Sequence, residues 1–281
     1  MDDVTSAVDP VSVTVNVDAA LLLQTMVGID AYPSVLALTP NIYDDDDRDR
    51  VHKVVLGELV EAGVIEDDRV HPAITGWLEC LYRPDVELVA RIVDTGRDES
   101  PQAMLRMSFV RRGESTVLAV RSGDEVVFQT VYHPDRELHT LAAVVVAAMG
   151  SNPALSFAPM TATLDEFTEV PPQQDERRQA LLELGAPPHT ASVLSRVLDE
   201  VTRRAEIVMF EYHDGTQAQP RLSLSVLDTP SGRIVVTPRV AMDGTVWSTY
   251  APGDDAAVHA GVAALVELLP GRSWFDTSRT D

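Results

Sequence analysis

One pattern recurs along this chain at a nearly constant interval. Strand-like runs at 86–94, 103–112, 115–121 and 125–132 lead into a helical stretch at 134–149. The same plan returns at 204–213, 220–228, 232–239 and 245–251, followed by a helical stretch at 253–269. Glu87 answers to Glu206, Asp124 to Asp243, Phe128 to Trp247 and Thr130 to Thr249, each pair 119 positions apart. Pro134 answers to Pro252 at 118, and Val117 to Ile234 at 117. The turns "RRGES" and "RSGDE" carry glycine for their special backbone angles. Strands joined by such short turns run antiparallel, because a parallel pair needs a crossover of roughly a dozen residues. Each meander leaves a sheet face and an apolar helix stripe to be buried. The expected fold is α+β: a central antiparallel β-sheet flanked by two helical bundles. Its two pseudo-twofold related halves, 1–150 and 151–281, are expected to form one integrated domain.

Outside the meanders the periodicity is helical. Residues 11–17 alternate as a strand and lead into a helix that Asp18 is placed to cap. Residues 34–40 read as a short strand closed by Pro40. The aspartates of 44–47 sit at the start of a helix that Gly63 ends, where negative charge favours the helix dipole. A helix over 71–84 places Ile74, Trp77, Leu78 and Leu81 on one face. A connector spans 151–175, and helices follow at 175–185 and 188–202. Leu138, Leu141, Val145 and Met149 line the helix of the first repeat; Val258, Val262, Leu265 and Leu269 line that of the second.

Charge narrows the partners. A net charge of −22 argues against nucleic acid, whose phosphates demand clustered cations, and against an anionic membrane surface. No run approaches the ~18 apolar residues of a membrane helix. The opening "MDDVTSAVDP" is acidic, unlike a signal peptide, so a cytoplasmic location is expected. Cys80 is the single cysteine, excluding an internal disulfide, and its apolar helix predicts a buried, inert thiol.

Catalytic signatures are missing. The chain contains no phosphate-binding G-x-x-x-x-G-K-[ST], no dinucleotide G-x-G-x-x-G, no G-x-S-x-G and no H-E-x-x-H. A calcium loop starting at Asp47 puts Glu58 twelfth but His52 at the position that needs glycine. The seven histidines show no ligand spacing, so no metal or cofactor is expected. An alternative reading is a small-ligand enzyme or binding protein whose acid–base groups are Glu87, Glu206 or His213. It requires the two repeated glutamates to meet in a pocket.

The stretch "LSLSVLDTPSGRIVVTPRVAMDGTVWSTYAPGDDAAV" (222–258), with "YPSVLALTPNI", "RPDVEL" and "VTVNVDAALL", resembles the EspG family. These are cytosolic chaperones of mycobacterial type VII (ESX) secretion. The resemblance implies a non-enzymatic protein that binds PE–PPE heterodimers at the hydrophobic tip of PPE. It implies that the chaperone keeps that cargo soluble and directs it to its own secretion system. It implies contact through the sheet and the C-terminal helical bundle. By strand alternation, Ser223, Ser225 and Leu227 share one face and Arg233, Val235, Thr237 and Arg239 share a face; these seven are the expected partner-binding residues. The oligomeric expectation is a monomer or weak homodimer, since exposed edge strands can self-pair.

Overall fold

A computed structural model describes residues 10–40, 44–95, 101–133, 135–215 and 222–279. Pro134, expected to start a helix, and residues 220–221, expected to open a strand, lie outside the described residues. The strands are β1 Ser12–Asn16, β2 Ile65–Glu66, β3 Arg69–Val70, β4 Val86–Thr95, β5 Pro101–Arg112 and β6 Ser115–Ser122. They continue as β7 Glu125–Thr130, β8 Met160–Thr163, β9 Arg203–Glu211, β10 Leu224–Thr229, β11 Gly232–Val240 and β12 Val246–Pro252. The helices are α1 Val17–Val27, α2 Asp45–Glu61, α3 Pro72–Tyr82 and α4 His139–Met149. After them come α5 Leu164–Thr168, α6 Gln174–Glu183, α7 Pro188–Val197 and α8 Asp255–Glu267.

Ten strands form a large antiparallel sheet in the order β1-β7-β6-β5-β4-β9-β10-β11-β12-β8. Both expected meanders are present within it, each as consecutive neighbours. Compactness divides the chain differently from sequence repetition. One unit holds residues 1–87 and 106–132; the other holds 88–105 and 133–281.

In the first unit, α1 packs on α2 and α3, and α3 lies against β6 and β7. The core joins Leu23, Leu78 and Leu81 to Val117, Ala119, Val126 and Phe128. Tyr32 stacks on Phe128 with ring centroids 5.6 Å apart, and its hydroxyl donates to the Ala20 carbonyl at 2.7 Å. Cys80 is buried on α3, and that burial pushes its thiol up to about 12. The cap of α1 is Asn16, whose Oδ1 accepts from the Ala19 amide at 2.8 Å, and not Asp18. The helix begins at Val17, so Asp18 lies inside its first turn and can only favour the dipole. Residues 34–36 form a 3-10 turn instead of the expected strand. Ala37 has φ 48°, and the Leu36 and Ala37 carbonyls accept from Arg121, which leaves no extended edge to pair. The β2–β3 hairpin was not anticipated from sequence. Asp67 and Asp68 both take positive φ, 49° and 59°, as a two-residue hairpin turn demands.

In the second unit, α8 packs on β9, β10 and β11, and α4 packs on α8. Of the helix stripes expected there, Leu141, Val145, Met149, Val258, Val262, Leu265 and Leu269 are all buried, whereas Leu138 is half-buried and caps α4, which begins only at His139. On the other face of the sheet, Leu227 and Ile234 join Leu181, Leu194 and Val197 from α6 and α7. The expected 151–175 connector contains two elements. Its β8 pairs with β12, and α5 begins with a reciprocal cap between Thr163 and Glu166. Those hydrogen bonds lower the Glu166 carboxyl below its ordinary range.

Candidate functional site

Three central strands of the second unit carry one packed face and one open face. On β9, Ala205, Ile207, Met209 and Glu211 are buried, while Arg204 and Glu206 are exposed and Val208 and Phe210 half-buried. On β4, Leu88, Ala90 and Ile92 are buried, while Val89 and Val93 are half-buried and Arg91 is exposed. Arg203 pairs with Asp94 at 3.1 Å and donates to the Ala148 carbonyl of α4, so the buried sides of β4 and β9 both face the helices. On β10, Leu224 and Val226 face α8, and Ser225 stands directly opposite Glu206 on the other side. Ser223 is exposed just before that strand. The open face therefore presents half-buried Val89, Val93, Val208 and Phe210 among Arg91, Arg204, Glu206, Ser223 and Ser225. Small hydroxyls beside flat apolar groups allow a visiting backbone to come close.

Two of the residues named from strand alternation lie on this open face. Ser223 and Ser225 belong to it; Arg204, Val208 and Phe210 were not singled out. The alternation in "RAEIVMFEY" carries the signal, since every second residue there is small or apolar and buried until Glu211.

The other expected contact residues divide between the two faces. In the β10–β11 register Leu227 faces Ile234, Val226 faces Val235 and Asp228 faces Arg233. Leu227 therefore shares a face with Ser225, whereas Arg233, Val235, Thr237 and Arg239 lie on the opposite face. Leu227, Arg233 and Val235 are only 8%, 2% and 0% exposed. α7 covers the first, and α8 covers the face of the others. Arg233 is held in place: Nε donates to Asp228 Oδ1 at 2.7 Å, and NH2 donates to Asp228 Oδ2 and the Gly150 carbonyl, both at 2.9 Å. Thr237 and Arg239 remain accessible and line a separate groove with Trp247, Thr249 and α8.

The acid–base alternative finds its groups in unlike surroundings. Glu87 is buried and accepts from Ser108 Oγ at 2.6 Å, whereas Glu206 is exposed on the open sheet face. His213 Nε2 lies 2.7 Å from Glu211 Oε1, on the buried side of β9, and Glu211 also accepts from the Gly271 amide at 2.7 Å. That arrangement ties the C-terminal segment to the end of β9. Asp135, Glu137 and His139 each bring one ligand atom within 4.8 Å of the others, but all three are solvent-exposed. Among the described residues, no helix is long and apolar enough to cross a membrane.

A long antiparallel sheet is packed by helices and left open over β4, β9 and the start of β10. The chain belongs to the EspG family, whose model matches residues 16–264. The ESX-3 secretion-associated protein EspG3 of Mycolicibacterium smegmatis is 32% identical over 270 residues, covering 95% of this chain and 90% of the relative. The ESX-1 secretion-associated protein EspG1 of Mycobacterium marinum is 30% identical over 270 residues, covering 95% and 92%. Among solved structures, the Mycobacterium tuberculosis type VII secretion system chaperone EspG5, in complex with a PE25–PPE41 dimer, superposes with a TM-score of 0.79. It shares 21% identity and covers 95% of this chain and 100% of that one, a likeness of fold.

Proposed function

We propose that this chain is a cytoplasmic chaperone of type VII (ESX) secretion that binds a PE–PPE heterodimer at the hydrophobic tip of PPE. It keeps that cargo soluble and directs it to its secretion system. Family membership over residues 16–264 carries the reading, together with the fold shared with an EspG5 whose structure was solved in complex with a PE25–PPE41 dimer. The physical logic is burial: an apolar helical tip gains ~25 cal/mol for each Å² removed from water. A specific contact needs more than ~1,000 Å² in total, which three adjacent open strands can supply. We assign the contact to Ser223 and Ser225 with Arg204, Val208 and Phe210, bordered by the α6–α7 bundle. Leu227, Arg233 and Val235 serve this face only as packing beneath it or behind it. The mirrored strand order, β7 to β4 and then β9 to β12, supports two pseudo-twofold halves, 1–150 and 151–281, of one integrated domain. The chaperone role needs no cofactor, metal or catalytic step.

Co-expression with the PE–PPE pairs of the same genome, followed by gel filtration, tests the function. A stable co-eluting complex is expected with at least one pair, and failure of every pair at every salt concentration overturns it. Ser225→Arg places a long cation on the open face and is expected to abolish co-elution with the melting temperature unchanged. Retention of the complex by that variant moves the contact elsewhere on the chain.

A further inference from the structure

A second surface lies on the opposite face of the same sheet. β8, β11, β12 and α8 enclose a groove of about 1070 Å³. Its floor is Thr161, Thr237, Thr249 and Ala251, with Thr161 and Thr249 hydrogen-bonded at 2.8 Å. Its wall is Ala257, Ala260 and Ala264, which share one face of α8. Over these turns no wall residue extends beyond a β-carbon, with Glu267, Leu268 and Arg272 closing the far end, so a helix could lie along the first part of α8 at the close end of the ~8–10 Å range of helix packing.

The lip of the groove is apolar. Among the described residues, nine large hydrophobic side chains are exposed, and Val240, Met242 and Trp247 of one hairpin are three of them. Such local concentration marks an interaction site where scattered exposure would not. The rim also holds charge. Arg272 pairs with Glu267 at 3.1 Å, while Arg239 is exposed and, among the described residues, makes no ion pair. Arg239 at the rim offers a carboxylate on the visitor a local partner.

We propose that this groove is a second docking site, which takes an amphipathic helix of a protein partner with an apolar stripe and an acidic flank. The site is independent of the PE–PPE reading, and because it uses the other sheet face, both can be filled together. The cargo-loaded chaperone then still displays a recognisable surface. A second copy of this chain is an outcome that the test below separates.

The probe is a fluorescein-labelled synthetic 18-residue helical peptide with a leucine stripe and glutamate flanks, and a twin with lysine flanks. Anisotropy is read with the full chain alone and with its PE–PPE complex. The glutamate peptide is expected to bind both preparations, at least tenfold tighter than the lysine twin. Trp247→Ala and Arg239→Glu should each weaken it at least tenfold without shifting the melting temperature. Arg239→Lys should retain most binding, and Arg239→Glu should now prefer the lysine twin. Ser225→Arg, which is aimed at cargo, should leave peptide binding intact, so loss of one site is distinguishable from loss of the other. Equal binding of the two peptides, or indifference to both groove variants, overturns the proposal. So does a concentration-dependent dimer that Trp247→Ala dissociates in sedimentation, because the occupant is then a second copy.

Discussion

Phe128 and Trp247 stand at matching places in the two sequence repeats, yet their surroundings have little in common. Phe128 is fully buried and stacked on Tyr32, opposite Ala119. Trp247 lies opposite Arg239 at the lip of a groove. The strand register explains the difference. Val117 pairs with Thr130 in the first hairpin, and its repeat partner Ile234 pairs with Pro252 in the second. Followed inward from those pairs, the counterpart of Phe128 is Tyr250, three positions beyond Trp247. Tyr250 does what Phe128 does: it packs on another ring, Phe167, at 4.7 Å, and burial raises its phenol above the ordinary range. A displacement by an odd number of residues reverses the face of a strand. The longer second hairpin thus turns a residue that resembles a core aromatic into a surface one.

Substitutions can break or sharpen that contrast. The largest effect is expected at Phe128→Ala, about 3–5 kcal/mol of lost stability from the cavity it leaves, read as a drop in the urea midpoint. Trp247→Ala should stay within about 0.5 kcal/mol. Equal losses at the two positions would mean that the hairpins are packed alike. A second contrast lies within β11 on one face. Arg233→Ala strands the buried Asp228 carboxylate and should cost about 3–5 kcal/mol, whereas Arg239→Ala should cost less than about 0.5. A β-carbon on Gly261 would sit 2.4 Å from Leu224 Cδ1, so Gly261→Ala should destabilise the α8 packing by about 1–3 kcal/mol. The β-carbon of Ala260, one residue earlier, faces the groove, and Ala260→Ser should be silent in the same melt. The smallest effect is expected at the start of α5. Thr163 holds the Glu166 carboxyl below its ordinary range, so the cap stabilises above that range and its contribution fades as pH falls through the lowered value. Thr163→Ala should therefore lower the melting temperature slightly at pH 7, with the gap narrowing at pH 3. A gap independent of pH would assign the effect to the hydroxyl alone.

Much of the fold was legible because its signals are local. "RRGES" and "RSGDE" mark their hairpins by glycine, and the stripe Leu141, Val145, Met149 by helical spacing. The Asp67–Asp68 turn escaped notice because two aspartates rarely take positive φ together and no glycine announces them. β8 escaped notice because four residues carry too little alternation to stand out, and pairing with β12 gives them their strand character. The strand faces were legible in alternation and their burial was not. Ser225 and Leu227 share a face, but only the placement of α7 decides that one is accessible and the other is not.

The sequence by itself determined the two antiparallel meanders, the helix stripes and the family. The meanders and the stripes depend on residue type and on spacing within about twenty positions, and the family on likeness along most of the chain. Tertiary structure alone decided which sheet face stays open, which arginine of β11 is enclosed with Asp228 and which reaches solvent, and where the groove beside α8 lies. Those outcomes depend on hairpin register and on helices packing from far along the chain, and alternation names two faces without saying which of them will be covered.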